Sequence, residues 1–235
     1  MKKNDDINIS FKGFKPDLHI IKTIYQVGLP SIIMQSIGSA MTYGMNKILM
    51  MFSSTAVSVF GVYFKLQSFV FMPVIGLNNG FIPIVAYNYG AHHKKRIMGV
   101  TKFAICISVS IMLCGLAIFQ LMPRTLLAMF NASENMMSIG VIALRVISLS
   151  FVFAGFCIIV GSVFQALGNG VYSLVVSVAR QLVLILPIAF LLAKTVGLDG
   201  VWFAFPIAEI GSVALTVTFY RKIYNDKIKN LGEAK

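Results

Sequence analysis

The stretch Phe71–Ala91, FMPVIGLNNGFIPIVAYNYGA, sets two prolines, three glycines and three asparagines in otherwise apolar sequence. Pro73 and Pro83 each remove a backbone hydrogen-bond donor, while Gly76 and Gly80 lack side chains that would resist bending. The sequence therefore predicts a kinked or broken helix with these four residues as its hinge. At membrane depth such a helix occurs where protein or a water-filled cavity satisfies the freed backbone groups, and these places are often binding sites.

The composition around this stretch is that of a polytopic, all-α membrane protein. Hydrophobic residues make up 57% of the chain and charged residues 12%, and the mean hydropathy is +0.83. The net charge of +12 comes largely from three places, residues 1–22, Lys94–Arg96 and residues 221–235, which hold thirteen of the twenty Lys and Arg residues. The positive-inside rule assigns such places to the cytoplasm, where anionic lipid headgroups rather than nucleic acid balance the charge.

Apolar runs separated by turn and charge signals predict six transmembrane helices within residues 28–222. Residues 1–27 are expected to form a cytoplasmic tail with an amphipathic segment, and residues 223–235 a second cytoplasmic tail. A break is expected at Gly28–Pro30, where the first span begins. The predicted spans are residues 29–52, 56–89, 102–122, 136–167, 171–196 and 201–220.

Polar residues on the first span recur at three- and four-residue steps and share one face, which lines a cavity or hydrogen-bonds a neighbouring helix. Folding the first two spans about Ser53 brings Lys65 level with this face, so the ammonium is expected either to meet it or to snorkel outward. The residues of this face are Gln35, Ser39, Thr42, Tyr43 and Asn46.

Further polar residues within the apolar spans are candidates for lining a substrate cavity, and Glu209 is the candidate ion-coupling group. Mirroring the last two spans about residues 197–200 leaves Arg180 and Glu209 roughly 10 Å apart along the helix axes, so no direct pair is expected. Glu209 is then either protonated or paired with another group. The cavity candidates here are Asn78, Asn79, Gln165, Arg180 and Gln181, in addition to Lys65.

The inventory of reactive side chains argues against an enzyme. The six spans contain one carboxylate and no histidine, which is too few for a metal site or for acid–base catalysis, and no Walker-type glycine-rich motif is present. No metal or cofactor is therefore expected, and any transport must be driven by an ion gradient.

Residues Val62–Ile97, VYFKLQSFVFMPVIGLNNGFIPIVAYNYGAHHKKRI, resemble the eighth helix and following cytoplasmic loop of multidrug and toxic compound extrusion (MATE) transporters. The matching features are two prolines, a Gly-x-Asn-x-Gly segment and a YNYGA box at Tyr87–Ala91. The resemblance continues through Gly28–Pro30, through FQALGNG at Phe164–Gly170 and through GLDGVWFAFPIAE at Gly197–Glu209.

This resemblance implies one lobe of a larger transporter. MATE proteins have two lobes of six helices and export cationic lipophilic compounds in exchange for protons or sodium; this chain resembles the carboxy-terminal lobe. The implied partners are an amino-terminal lobe or a second copy, the bilayer, a small-molecule drug, and a proton or sodium ion. The implied location is the cell membrane with both termini cytoplasmic.

Departures from the family pattern leave other functions open. The family's aspartate on the first helix lies in the lobe this chain lacks, and the acidic residues that some members carry on the seventh and tenth helices are absent. Lys65, Arg145 and Arg180 would suit a flippase-like exporter of lipid-linked or polysaccharide precursors instead. A non-functional fragment or a protein with only a structural role is the third alternative.

Overall fold

The computed structural model describes residues 16–231, with the side chains of residues 23, 26, 27, 30, 31 and 35 excepted. Residues 1–15 and 232–235 of the predicted tails therefore lie outside the described residues. All regular secondary structure within residues 16–231 is helical, as predicted. The α-helices are α1 (Leu18–Met50), α2 (Ser54–Gly90), α3 (Lys94–Leu121), α4 (Pro123–Ala128), α5 (Glu134–Ser148), α6 (Phe151–Ala166), α7 (Gly170–Val178), α8 (Leu186–Thr195), α9 (Leu198–Val201) and α10 (Ala204–Ile223), with π-helical segments at Ala179–Ile185 and Tyr224–Ile228.

Four helical stretches within the described residues, or five if one bent pair is counted as a span, have the length and hydropathy of membrane spans. By length and hydropathy, α5 and α6 qualify only when taken together, as one span bent by 46°. α1 does not meet the same measure, and the polar residues along one of its faces lower its hydropathy. The other helical stretches that qualify within the described residues are Ser54–Gly90, Lys94–Leu121, Gly170–Thr195 and Leu198–Ile228.

α2 continues without interruption through both of its prolines. Of the two predicted alternatives, a break at Pro73 or Pro83 is wrong, while a kink there and the role of these residues as a hinge stay predictions. Both prolines lie on an exposed face, and the carbonyls that they leave without an i+4 amide belong to Phe69 and Asn79, which are also exposed. A proline on such a face does not force a neighbouring helix aside.

The three later spans, predicted as continuous, are each interrupted. α5 and α6 meet at the 46° bend, the fifth span contains the π-helical segment Ala179–Ile185, and Trp202 and Phe203 separate α9 from α10. The π-helical segment ends two residues before Pro187, which has no amide to bond the carbonyl of Val183 at α-helical spacing. Bonding at i+5 spacing avoids the need for that amide.

Helix ends also differ from the predicted membrane boundaries. α1 runs through residues 28–30, so no break separates the amphipathic segment from the first span. α3 begins at Lys94, so the basic residues Lys94–Arg96 form its first turn rather than a loop, and residues 224–228 are helical rather than part of a tail. Lys and Arg are good helix formers, so a charge cluster marks where a membrane ends and not where a helix ends.

The interior consists of two apolar cores with polar residues between them. One core is built around Phe60, Trp202 and Phe151, and the other around Phe81, Phe164 and Ile223. α10 shows the sequence of layers along its length: apolar Ala204–Ala208, then Glu209, Ser212 and Thr216, and then Phe219–Ile223. We call the middle zone the polar layer; it contains the site described below.

The close approach of α2 and α3 gives a prediction about packing. A Cβ atom added to Gly115 would lie 2.3 Å from Cγ1 of Val70, whose branched side chain has little freedom to move away. Gly115→Ala is therefore expected to lower the free energy of unfolding by about 1–3 kcal/mol. Gly61→Ala is the control, because nothing lies within 4 Å of the added atom. Unfolding in detergent, followed by circular dichroism, checks this, and equal stability of the two variants contradicts it.

Candidate functional site

An ion pair lies in the polar layer. Nη1 of Arg180 donates to Oε2 of Glu209 at 3.3 Å, and the side chains are 29% and 5% exposed. The expectation that these residues do not pair directly is wrong. Arg180 lies in the π-helical segment, where wider turns advance less along the axis per residue, and the long Arg and Glu side chains bridge the remaining offset.

The first of two adjoining cavities, the Glu209 cavity, has a volume of about 210 Å³. Oε1 of Glu209 and Oε1 of Gln67 are both buried and have no hydrogen-bond partner. Two unsatisfied acceptors beside one cavity call for a hydrogen-bond donor such as water, or for a bound cation. The lining residues are Met41, Tyr63, Phe64, Gln67, Phe71, Ser150, Ala154, Ile158, Arg180, Gln181, Ile185, Phe205 and Glu209.

The second, the serine cavity, has a volume of about 190 Å³ and shares Arg180 and Ile158 with the Glu209 cavity. Its hydroxyls are held in place: Ser173 Oγ donates to the Gly161 carbonyl at 2.6 Å, and Ser212 Oγ contacts Cys157 Sγ at 3.7 Å. The lining residues are Met34, Asn78, Cys157, Ile158, Gly161, Ser162, Phe164, Gln165, Ser173, Val176, Ser177, Arg180, Ser212 and Thr216.

Four predicted cavity residues line these two spaces. Asn78 and Gln165 line the serine cavity, and the buried Oδ1 of Asn78 has no hydrogen-bond partner. Gln181 lines the Glu209 cavity, and its Nε2 donates to Ser177 Oγ at 2.8 Å. Arg180 lines both cavities.

The polar face of α1 lies elsewhere. Ser39 and Tyr43 are exposed, Asn46 is half-buried, and none of the three lines either cavity. The side chain of Gln35 is outside the described residues. Asn79 on α2 is also exposed, as are Pro73, Gly76, Gly80 and Pro83.

The predicted meeting of Lys65 with the polar face of α1 is wrong. Lys65 is exposed, and its Nζ lies 5.9 Å from the ring centroid of Phe130, in the connection between α4 and α5. Each helical residue turns the chain by about 100°, so Lys65 points about 200° away from the buried Tyr63. It reaches outward, the alternative that the sequence left open.

Tyr63 and Gln67 also line the Glu209 cavity, although neither was predicted from the sequence to do so. Their spacing of four residues puts them on one face of an apolar helix, which is the signal that could have identified them. Cys157 was not predicted to line a cavity either; its Sγ is contacted by the hydroxyls of both Ser212 and Thr216 at 3.7 Å.

The arrangement leaves one carboxylate oxygen available for binding. Oε1 of Glu209 is free to accept a donor while Arg180 holds Oε2. Within residues 16–231 no three His, Cys, Asp or Glu residues are grouped as they would be around a metal ion. The site thus suits an exchangeable proton, cation or water.

The ion pair gives a prediction about stability. Glu209→Leu leaves the Arg180 guanidinium without its carboxylate and is expected to lower the free energy of unfolding by about 3–5 kcal/mol. Arg180→Leu combined with Glu209→Leu is expected to restore most of that loss. Denaturant unfolding in detergent measures both, with fluorescence of Trp202, the single tryptophan, as the probe. Equal losses in the single and double variants contradict coupling between the two residues.

Comparison with known proteins identifies the family. The MatE family model matches residues 30–191. Multidrug export protein MepA of Staphylococcus aureus (strain MSSA476) is 26% identical over 210 residues, which cover 89% of this chain and 46% of MepA. MepA of Staphylococcus haemolyticus (strain JCSC1435) is 26% identical over 217 residues, which cover 88% of this chain and 46% of that protein.

Solved structures share the fold. An outward-facing multidrug resistance MATE family transporter of the MOP superfamily superposes with a TM-score of 0.86 at 24% identity, covering 99% of this chain and 52% of that one. A MATE protein in complex with MaL6 gives a TM-score of 0.84 at 24% identity, covering 97% and 51%. The chain thus spans about half the length of the relatives it matches. Because the family model covers more than half of its residues, the chain belongs to the MatE family of MATE transporters.

Proposed function

We propose that this chain is the carboxy-terminal lobe of an antiporter that exports cationic lipophilic drugs in exchange for protons or sodium. The observation that carries the proposal is the Arg180–Glu209 pair, which lies between two apolar cores of a helix bundle, with Glu209 lining one cavity and Arg180 lining both. Its relatives are named multidrug export proteins, and it spans 46% of their length. A second lobe completes the transporter.

The exposed polar residues of α1 and α2 support the presence of a second lobe beside these helices. Ser39, Tyr43 and Asn79 are exposed on helices that are otherwise mostly apolar. Polar side chains on membrane helices normally face other helices or a water-filled cavity, because lipid leaves them without hydrogen-bond partners. We infer that this face lines the drug-binding cleft opposite the second lobe, with the hinge residues of α2 beside it.

Glu209 is the ion-coupling group in this proposal. One of its carboxylate oxygens is held by Arg180 and the other has no partner, so a proton or sodium ion has an available acceptor. Binding there weakens the attraction between Glu209 and Arg180, and Arg180 lines both cavities. The charge on Glu209 thereby changes the electrostatic environment of both cavities.

The positions of the cations favour drug export over the flippase-like alternative. Lys65 lies over Phe130 at the surface, and Arg145 is exposed, with its Nε donating to the Gln120 carbonyl at 3.3 Å. Arg180 is neutralised by Glu209. The two cavities thus lack the excess of basic side chains that would suit an anionic lipid-linked precursor.

One contact supports the proposed cytoplasmic location of both the basic turn and the carboxy-terminal segment. Nζ of Lys94, in the first turn of α3, donates to the carbonyl of Lys229. The basic residues of both regions therefore lie at the same end of the bundle, as the positive-inside rule requires for a cell-membrane protein with this topology.

Ethidium accumulation in an efflux-deficient host tests export. The chain is expressed alone or together with the amino-terminal half of a MepA protein, and membrane levels are matched. Lower accumulation only on co-expression supports a complementary second lobe. Lower accumulation with the chain alone, together with a cross-linked dimer, supports a working second copy. Unchanged accumulation in both cases contradicts drug export.

Coupling is tested in the assembly that lowers ethidium accumulation. Glu209→Gln keeps the size of the side chain and removes its charge, so gradient-driven efflux is expected to fall at least tenfold. Glu134→Gln is the matched control, because Glu134 is exposed in the first turn of α5, away from both cavities. Efflux from vesicles with an imposed proton or sodium gradient measures the effect. Equal efflux by the Glu209→Gln variant and the parent contradicts the coupling role.

A further inference from the structure

A strongly basic cavity lies at the turn between α2 and α3, outside the polar layer. Its volume is about 820 Å³, and no acidic residue is found among the described residues that line it. It opens beside the start of α3, where the first turn contains no acidic residue either. Its charged and titratable lining residues, which define the basic cavity, are His92, His93, Lys94, Lys95, Arg96 and Lys102.

The helical spacing of α3 shapes this cavity. Lys95, Gly99 and Lys102 follow at steps of four and three residues and therefore share one face. Gly99 leaves the space between the two lysines open, since nothing lies within 4 Å of where its Cβ would be. The two lysines are separated by roughly 10 Å along the axis. An anionic group between them would be attracted by a lysine ammonium group on each side.

The same face of α3 continues as a lipid-facing stripe. Cys106, Ser110, Leu113 and Ala117 extend the steps from Lys102, and all four are exposed. Phe103, beside Lys102, is 67% exposed. A ligand with a negative headgroup and an acyl chain fits this sequence of charge followed by apolar surface. A soluble phosphate would use only the basic end.

We propose that the basic cavity binds the headgroup of one anionic phospholipid, with its phosphate between Lys95 and Lys102 and an acyl chain along the exposed stripe of α3. Lys102 lies about two turns further along the helix, and its long side chain extends back toward the phosphate. This goes beyond transport, because it assigns a lipid partner to a surface remote from Arg180 and Glu209. The lipid also bridges α3 to the carboxy-terminal segment, since Leu231 lines the same cavity.

Native mass spectrometry of the purified chain in detergent, titrated with phosphatidylglycerol or phosphatidylcholine, tests this proposal. We expect one phosphatidylglycerol to be retained under conditions that remove phosphatidylcholine. Lys95→Gln combined with Lys102→Gln is expected to weaken that retention at least tenfold, and Lys95→Arg combined with Lys102→Arg to keep it. Circular dichroism confirms that each variant keeps its helical content.

A matched control distinguishes a built site from general surface charge. Lys65→Gln combined with Lys222→Gln removes the same charge outside the basic cavity and is expected to change phosphatidylglycerol retention less than twofold. Equal loss in both double glutamine variants, or equal retention of the two lipids, overturns the proposal. Glycerol phosphate is added as a soluble competitor; if it binds as tightly as the lipid, a lipid is not the preferred occupant.

Discussion

The ion pair between Arg180 and Glu209 is the constraint on which the rest of the bundle depends. Two charges away from bulk water are tolerated only when they are paired and surrounded by polar groups. The surrounding helices place hydroxyl groups in the serine cavity beside Arg180: α6 and α7 supply Ser162 and Ser173, and α10 supplies Ser212 and Thr216. Apolar cores on both sides then hold these helices in register. The polar layer thus places the ion pair beside a cavity lined by hydroxyl groups.

The bundle has polar surface on one outer side as well as in its interior. Ser39, Tyr43 and Asn79 have water or a partner to face only if something other than lipid lies beside α1 and α2. This part of the chain therefore contains two kinds of polar environment, an internal one around the Arg180–Glu209 pair and an outer one on the exposed face of α1 and α2. This division fits a chain that spans about half the length of its relatives.

Much of this was predictable from the sequence, for identifiable reasons. Asn78, Gln165, Arg180 and Gln181 stood out because polar residues in apolar spans need partners, and all four line the cavities. Their partners were harder to predict, because a fixed period of 3.6 residues contains no information about a π-helical segment. For α1 the sequence identified a polar face but not what it faces, since Ser39 and Tyr43 are exposed and contact neither cavity.

The π-helical segment Ala179–Ile185 makes chain length itself part of the site. An extra residue in a helical turn rotates everything before it by about 100° relative to everything after it. The orientation of the helix about its axis at Arg180 directs this side chain toward Glu209. A different orientation after the π-helical segment directs α8 toward α1 and α9. Removing a single residue between Arg180 and Pro187 would preserve both members of the ion pair and still turn the guanidinium away. Spacing here specifies the site as strongly as residue identity does.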